Sequence, residues 1–77
     1  MSSSKVPILK PRELIRALER MGFRLLRKSK GAHWQFAHPD GRRTTVPVHK
    51  RRDIGPGPLR KVLRDIELDP DDLQQWL

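Results

Sequence analysis

Two amphipathic helical stretches that flank a central stretch of alternating residues constrain the fold of this chain most strongly. Apolar residues recur at i, i+1, i+4 and i+7 within residues 11–21, and at i, i+3, i+4 and i+7 within residues 57–66. Both spacings place the apolar side chains on one face of a helix. Pro11 suits a first helical turn and Gly22 a helix end, so the first helix is predicted over 11–21.

The residues between the two helices predict three strands. Residues 23–29 alternate in character, which places Phe23, Leu25 and Arg27 on one side of a first strand. Trp34 and Phe36 alternate with polar or small residues in a second strand that starts at His33. Residues 39–41 read Pro-Asp-Gly, a hairpin signal, and residues 42–48 form a third strand that Pro47 restricts to an edge or a strand end.

The order of these elements predicts a small α+β domain. Both helical stripes can cover one face of a three-stranded antiparallel sheet in an α-β-β-β-α arrangement. Alternation with polar residues favours Trp34 and Phe36 in the core, with stacking against nucleic-acid bases as the alternative. We expect replacement of Trp34 by alanine to cost about 3–5 kcal/mol. Asp69 and Pro70 predict the N-cap and first residue of a short C-terminal helix. The expected helical partners of the two aromatic residues are Leu14, Leu18, Leu59 and Leu63.

The length and residue types of the chain limit its class. Seventy-seven residues suffice for one domain, 1–77, in which the polar residues 1–5 are expected to be disordered. The chain has no cysteine, so neither disulfides nor thiolate metal sites can stabilise it. It has no apolar run near 18 residues and no signal-peptide pattern, and we therefore expect a cytoplasmic protein that neither spans a membrane nor is secreted.

The charge of +8 is distributed unevenly. All 17 Lys and Arg residues lie in residues 1–64, which contain only four acids, whereas residues 65–77 contain five acids and no base. A basic body with an acidic tail favours a polyanion such as nucleic acid as the partner of the body. A solvated surface with excess arginine is the alternative.

His33 is the candidate catalytic residue. A histidine can exchange protons near neutral pH, and Gly31 lets a ligand approach the backbone in front of it. The cations before it can hold a phosphate next to the histidine. Cleavage of RNA by attack of its own 2′-OH requires the phosphate and the proton carrier to be close together in this way. From the spacing alone, a surface histidine beside a turn is the simpler interpretation. The predicted phosphate-binding cations of this segment are Arg27, Lys28 and Lys30.

A second basic cluster surrounds the third predicted strand. We expect it to contact the RNA backbone with little reading of sequence, although a solvated charge run would have the same composition. Of the other two histidines, His38 is interpreted as a turn residue. His49 is either a contact to a phosphate or to a partner protein, or a loop residue. No metal site is expected, because the histidines lack helical i, i+4 spacing. The cluster consists of Arg42, Arg43, Lys50, Arg51 and Arg52.

The chain resembles the HicA (YcfA-like) family of small bacterial toxins over nearly its whole length. The more specific half of the resemblance runs from Thr45 to Leu63. The Gly31-Ala32-His33 motif has Ala32 where the family has Ser, and Trp34 where a second His is common. Glu67 stands where the family often has a glycine that ends a helix. The resembling segments are 14–23, 30–33, 38–42, 45–49 and 53–63.

This resemblance implies a fold similar to the double-stranded-RNA-binding domain. It also implies a ribonuclease that cuts mRNA without a cofactor, with His33 as its catalytic histidine, and a HicB-like antitoxin that blocks it. The toxin would be a monomer alone and part of a hetero-oligomer with its antitoxin. Two rivals remain: a non-catalytic RNA-binding module of the same fold, and an adaptor whose basic face binds an acidic protein. Replacement of His33 separates the enzyme from the module, and salt-sensitive RNA binding separates both from the adaptor.

Overall fold

A three-stranded antiparallel sheet with the strand order β1-β2-β3 organises the structure. The computed structural model describes residues 6–29 and 31–77; residues 1–5, for which we predicted disorder, and the predicted phosphate contact Lys30 lie outside the described residues. The element order confirms the predicted α+β arrangement, α-β-β-β-α with a short C-terminal helix. The elements are α1 (Pro11–Met21), β1 (Arg24–Lys28), β2 (His33–Ala37), β3 (Arg43–Pro47), α2 (Pro56–Asp65), α3 (Pro70–Leu73) and a 3₁₀ turn (Gln74–Trp76).

Helix α1 begins and ends at the residues that the sequence predicts. The backbone N–H of Lys10 donates to Glu13 Oε1 at 2.8 Å, and Pro11 occupies the first position, where its missing N–H costs nothing. At the other end Gly22 has φ 104°, and the N–H of Phe23 donates to the carbonyl of Leu18 at 2.9 Å. This is the Schellman arrangement, which requires a left-handed residue and therefore favours glycine.

Helix α2 ends in the same arrangement without a glycine. The N–H of Leu68 donates to the carbonyl of Leu63 at 2.9 Å, and the N–H of Glu67 donates to the carbonyl of Arg64 at 3.2 Å. Glu67 is the left-handed residue, with φ 57°. A side chain in this conformation brings Cβ too close to the following carbonyl oxygen, which costs about 1–2 kcal/mol.

Replacement of Glu67 by glycine is therefore expected to stabilise the domain by about 1 kcal/mol, because it removes that steric cost at an exposed position. Urea denaturation measures the change as a higher midpoint. The matched control is Gly22→Ala, which should act in the opposite direction. A Cβ at residue 22 would lie 2.9 Å from His38 Nε2, and φ would remain in the left-handed region. Equal or lower stability of Glu67→Gly would contradict this account of the helix end.

The hydrophobic core lies between one face of the sheet and the two longer helices. Phe36 of β2 and Val46 of β3 are almost fully buried. Trp34 packs against the edge of this core, as predicted, but it is only half-buried. The prediction that it is as fully buried as Phe36 is therefore wrong. The helical side chains of the core include Leu14, Leu18, Leu59, Val62, Leu63 and Ile66.

A β-bulge in β1 changes which of its side chains share a face. Leu25 pairs with Phe36, whereas Arg27 pairs with Gln35, and the register shifts between them. Directly paired residues lie on the same face, so Leu25 is on the helix side of the sheet and Arg27 on the opposite side. The prediction that they share one side is therefore wrong, because period two assumes a strand without a bulge. We call the side opposite the helices the open face.

The C-terminal segment packs against α1. Leu73 of α3 is fully buried, and the Arg20 guanidinium donates to the carbonyl oxygens of Trp76 and Leu77 at 2.9 and 3.0 Å. Asp69 occupies the predicted N-cap position, but its carboxylate makes no capping hydrogen bond to the helix. The apolar contact of Leu73 and the two bonds from Arg20 therefore hold this segment, rather than the predicted side-chain cap.

Candidate active site

His33 is the first residue of β2, and its side chain is exposed on the open face. Its carbonyl oxygen accepts a hydrogen bond from the N–H of Ser29 at 2.8 Å, and its partner on β3 is Pro47. The N–H of Val48 donates to the carbonyl of Ala32 at 2.6 Å. Both neighbouring strands thus hold the backbone around His33 in place, while the imidazole remains accessible to a ligand.

Arg27, one of the predicted phosphate-binding cations, shares the open face with His33. Arg27 pairs with Gln35, two residues along β2 from His33, which makes Arg27 a diagonal neighbour of the histidine. Diagonal Cβ atoms lie about 7–8 Å apart, within reach of a long side chain such as arginine. The two side chains can therefore approach the same phosphate.

Lys28 lies on the other side of the sheet. It pairs with Trp34, and its Nζ is 4.2 Å from the centre of the indole ring, a cation–π contact. We expected Lys28 to lie close to His33. The bulge at Leu26 instead places Arg27, and not Lys28, on the same face of the sheet as His33. Lys28 therefore lies on the helix side of the sheet, at the end of β1.

Two further arginines lie at the far end of the open face. Arg43 and Arg24 flank Ala37 on the two neighbouring strands. Arg43 is four residues along β3 from the partner of His33, about 13 Å at the usual rise of a strand. Arg24 was not selected from the sequence. Its pairing with Ala37 would have placed it on the open face, but the register between β1 and β2 depends on the bulge.

A groove lies between α1 and the loop of residues 48–53, and we call it the basic groove. Lys50, Arg51 and Arg52 of the loop are exposed and line one side, and Gly31 lies beside it at the strand end. The N–H of Arg52 donates to the carbonyl of His49 at 3.3 Å, and Arg51 has φ 62° in this turn. These three predicted contacts are therefore brought together at the same end of the sheet as His33.

His38 joins the hairpin to the end of α1. Its Nε2 donates to the carbonyl of Met21 at 3.1 Å, because its Nδ1 accepts from the N–H of Asp40 at 3.1 Å. Its ring also meets the edge of Phe23, with 5.0 Å between centroids. The structure places His38 in the hairpin turn, as the sequence indicated, with both ring nitrogens hydrogen-bonded.

Arg42 has its guanidinium bound within the fold. Nε donates to Asp40 Oδ2 at 2.8 Å, and a terminal nitrogen donates to the carbonyl of Ile66 at 2.6 Å. The N–H of Arg42 also donates to the Asp40 carboxylate, and this bond lowers the pKa of Asp40 below its usual value. Arg42 thus ties the hairpin to the end of α2, at the end of the sheet away from His33.

The resulting site consists of a histidine and cations. An exposed imidazole can take up or give a proton, and a guanidinium on the same face can offset charge that develops on a phosphate. Within 6–29 and 31–77, no three His, Asp or Glu side chains are grouped so that they could hold a metal ion. In the same ranges, no helix has the length and apolar character needed to cross a membrane.

Comparison with known proteins identifies one family. A family model described as the HicA toxin of bacterial toxin–antitoxin systems matches residues 11–68, which is more than half of the chain and extends from the start of α1 past the end of α2. No curated protein shows significant similarity to the chain. On the strength of this match, the chain belongs to the HicA toxin family.

Proposed function

We propose that this protein is an endoribonuclease toxin that cuts mRNA without a metal ion, with His33 as its general acid and base. The observation that carries the proposal is the exposed imidazole of His33 on a backbone held by both neighbouring strands. Membership of a toxin family of toxin–antitoxin systems adds support. A fixed backbone matters because proton transfer requires the imidazole to stay within hydrogen-bond distance of the reacting oxygens.

The reaction uses the nucleophile that RNA itself carries. His33 takes the proton of the 2′-OH as this oxygen attacks the adjacent phosphorus, and the P–O5′ bond breaks. The imidazolium then returns the proton to the leaving 5′-oxygen, so that the protons balance and the products are a 2′,3′-cyclic phosphate and a 5′-OH. Arg27 offsets the additional negative charge on the phosphorane-like transition state.

The other exposed cations of the open face and of the basic groove hold the RNA substrate. Arg43 and Arg24 on the open face and the loop cations of the basic groove lie on two sides of His33. Contacts to phosphates fix the position of the RNA without reading its sequence. We propose that Gly31, with φ 83° and open space where a side chain would be, lets the RNA backbone pass close to the strand end.

A cytoplasmic toxin that cuts mRNA must be held inactive by its partner. We propose that the partner is a HicB-like antitoxin, which covers the open face around His33 in a hetero-oligomer. The exposed Leu26 on edge strand β1 belongs to the same region and offers apolar area to such a partner. The free toxin would be a monomer.

The test is cleavage of a defined RNA by the purified protein. Activity should persist in excess EDTA and leave a 2′,3′-cyclic phosphate or its 3′-phosphate hydrolysis product. A substrate with a single deoxyribose at the cut site should resist cleavage there, because it lacks the nucleophile. Binding of both substrates without cleavage of either would instead favour the non-catalytic RNA-binding module.

A further inference from the structure

The basic groove contains more than the loop cations assigned above. Its other side is formed by Lys10, which precedes α1, and by the N-terminal half of that helix, which adds Arg12 and Arg16 to the rim. Among the residues that the structure describes, six cations therefore line the groove, against the two carboxylates of Glu19 and Asp53. The excess of positive charge on both sides of one depression favours a polyanionic strand along it.

The floor of this groove is apolar. Ile15 and Val48 line it together with Trp34, and all three are half-buried at the edge of the core. Its volume, about 940 Å³, is near the upper end of the roughly 300–1,000 Å³ usual for ligand sites. That space accommodates a planar ring system together with its sugar and phosphate.

The Trp34 side chain lines the groove as well as packing against the core. Lys28 covers part of one ring face, and the indole still lines the groove. A cationic groove with an aromatic side chain in its floor is the usual design of sites for single-stranded nucleic acid, because every base can stack on an aromatic ring. A base in a duplex is paired and stacked within the helix, so only an unpaired base can reach such a floor.

We infer that the basic groove binds a single-stranded RNA segment beside the cleavage point, with its phosphates on the cationic rim and an unstacked base against Trp34. This inference rests on the proposed ribonuclease function and adds the substrate class, single-stranded rather than duplex RNA. Trp34 directly follows His33 in β2, and Gly31 lines the groove. A strand that leaves the groove around this end of β2 reaches the histidine on the open face.

The first experiment observes Trp34 directly. In a Trp76→Phe variant Trp34 is the sole tryptophan, since the chain has two. The probe is a 2′-O-methyl RNA of about ten nucleotides, within the usual site size of about 4–16; it has no free 2′-OH and is not cut. Saturation with the single strand should quench the Trp34 emission and protect it from acrylamide, whereas the same sequence as a duplex should do neither.

The second experiment replaces two arginines on the α1 side of the groove, in a protein that keeps both tryptophans of the wild type. Arg12→Ala with Arg16→Ala should raise KM for single-stranded RNA and leave kcat unchanged. It should also reduce the salt slope of binding by up to about 1.4, as expected for two lost single-strand phosphate contacts. The matched control is Arg60→Ala, an exposed arginine of α2 outside the groove, which should change neither.

The outcomes separate the groove from the proposed reaction. If the protein cuts RNA but Trp34 emission does not respond to saturating probe and the α1 variant keeps its KM, the groove is not the RNA site and this inference fails alone. If Trp34 responds to polyglutamate and not to RNA, the groove belongs to an acidic protein partner, which also overturns it. If Trp34 responds to the single strand but no RNA is cut, the proposed reaction fails and the binding site stands.

Discussion

Replacement of His33 by alanine is expected to lower the rate of RNA cleavage by about 10²–10⁴, the usual contribution of a general acid or base. The loss should appear in kcat, because the proposed role of the imidazole is to move protons in the transition state and not to bind RNA. His33→Gln, which keeps polarity and approximate size but cannot exchange a proton near neutral pH, should lose about as much. Single-turnover cleavage of a labelled RNA measures both.

The fold should survive these changes. The His33 side chain is exposed on the open face, and its backbone hydrogen bonds involve only main-chain atoms. The circular dichroism spectrum, the urea midpoint and the RNA affinity should therefore equal those of the wild type. Surface substitutions of this kind usually change stability by no more than about 0.5 kcal/mol.

Arg27→Ala serves as a graded comparison. Since the proposed role of Arg27 is to stabilise charge without transferring a proton, its loss should reduce kcat by a smaller factor than the loss of His33. Arg60→Ala should leave kcat unaffected. Cleavage at the wild-type rate by purified His33→Ala protein would assign the activity to another residue or to a contaminating nuclease, and the proposed mechanism would have to be abandoned.

The helices and the core could be predicted because their signals are local. The left-handed conformation that ends α1 favours Gly22, and the first helical turn favours Pro11, so both bounds of that helix could be predicted from the sequence. The alternation around Phe36 likewise gave the buried face of β2. Such local signals act within a few residues and need no knowledge of the tertiary structure.

The candidate site was less predictable because it depends on register and on contacts between distant segments. One bulge residue, Leu26, exchanges the faces expected for Arg27 and Lys28. The basic groove joins the N-terminal half of α1 to a loop some 35 residues later, and no local pattern links Arg16 to Arg51. Arg12 and Arg16 are four residues apart in the sequence, the spacing of one helix face, but nothing there shows which segment they face.

The largest expected effect on stability comes from a core residue that the alternation in β2 predicted. Phe36→Ala should lower the free energy of unfolding by about 3–5 kcal/mol, because it removes a ring that is 1% exposed and leaves a cavity between the sheet and the helices. A domain of this size has roughly 4–12 kcal/mol in total, so the variant should be close to unfolding at 37 °C. Trp34→Ala should cost less, since Trp34 already contacts solvent in the groove.

Urea denaturation followed by far-ultraviolet circular dichroism tests this order, because that signal does not depend on tryptophan. The matched control is Leu26→Ala, which removes a side chain 52% exposed on the same sheet and should change stability by no more than about 0.5 kcal/mol. A Trp34→Ala variant less stable than Phe36→Ala would mean that Trp34 is mainly a core residue. Its ring would then be too constrained to receive a base, so the order of these two midpoints also bears on the RNA site proposed for the groove.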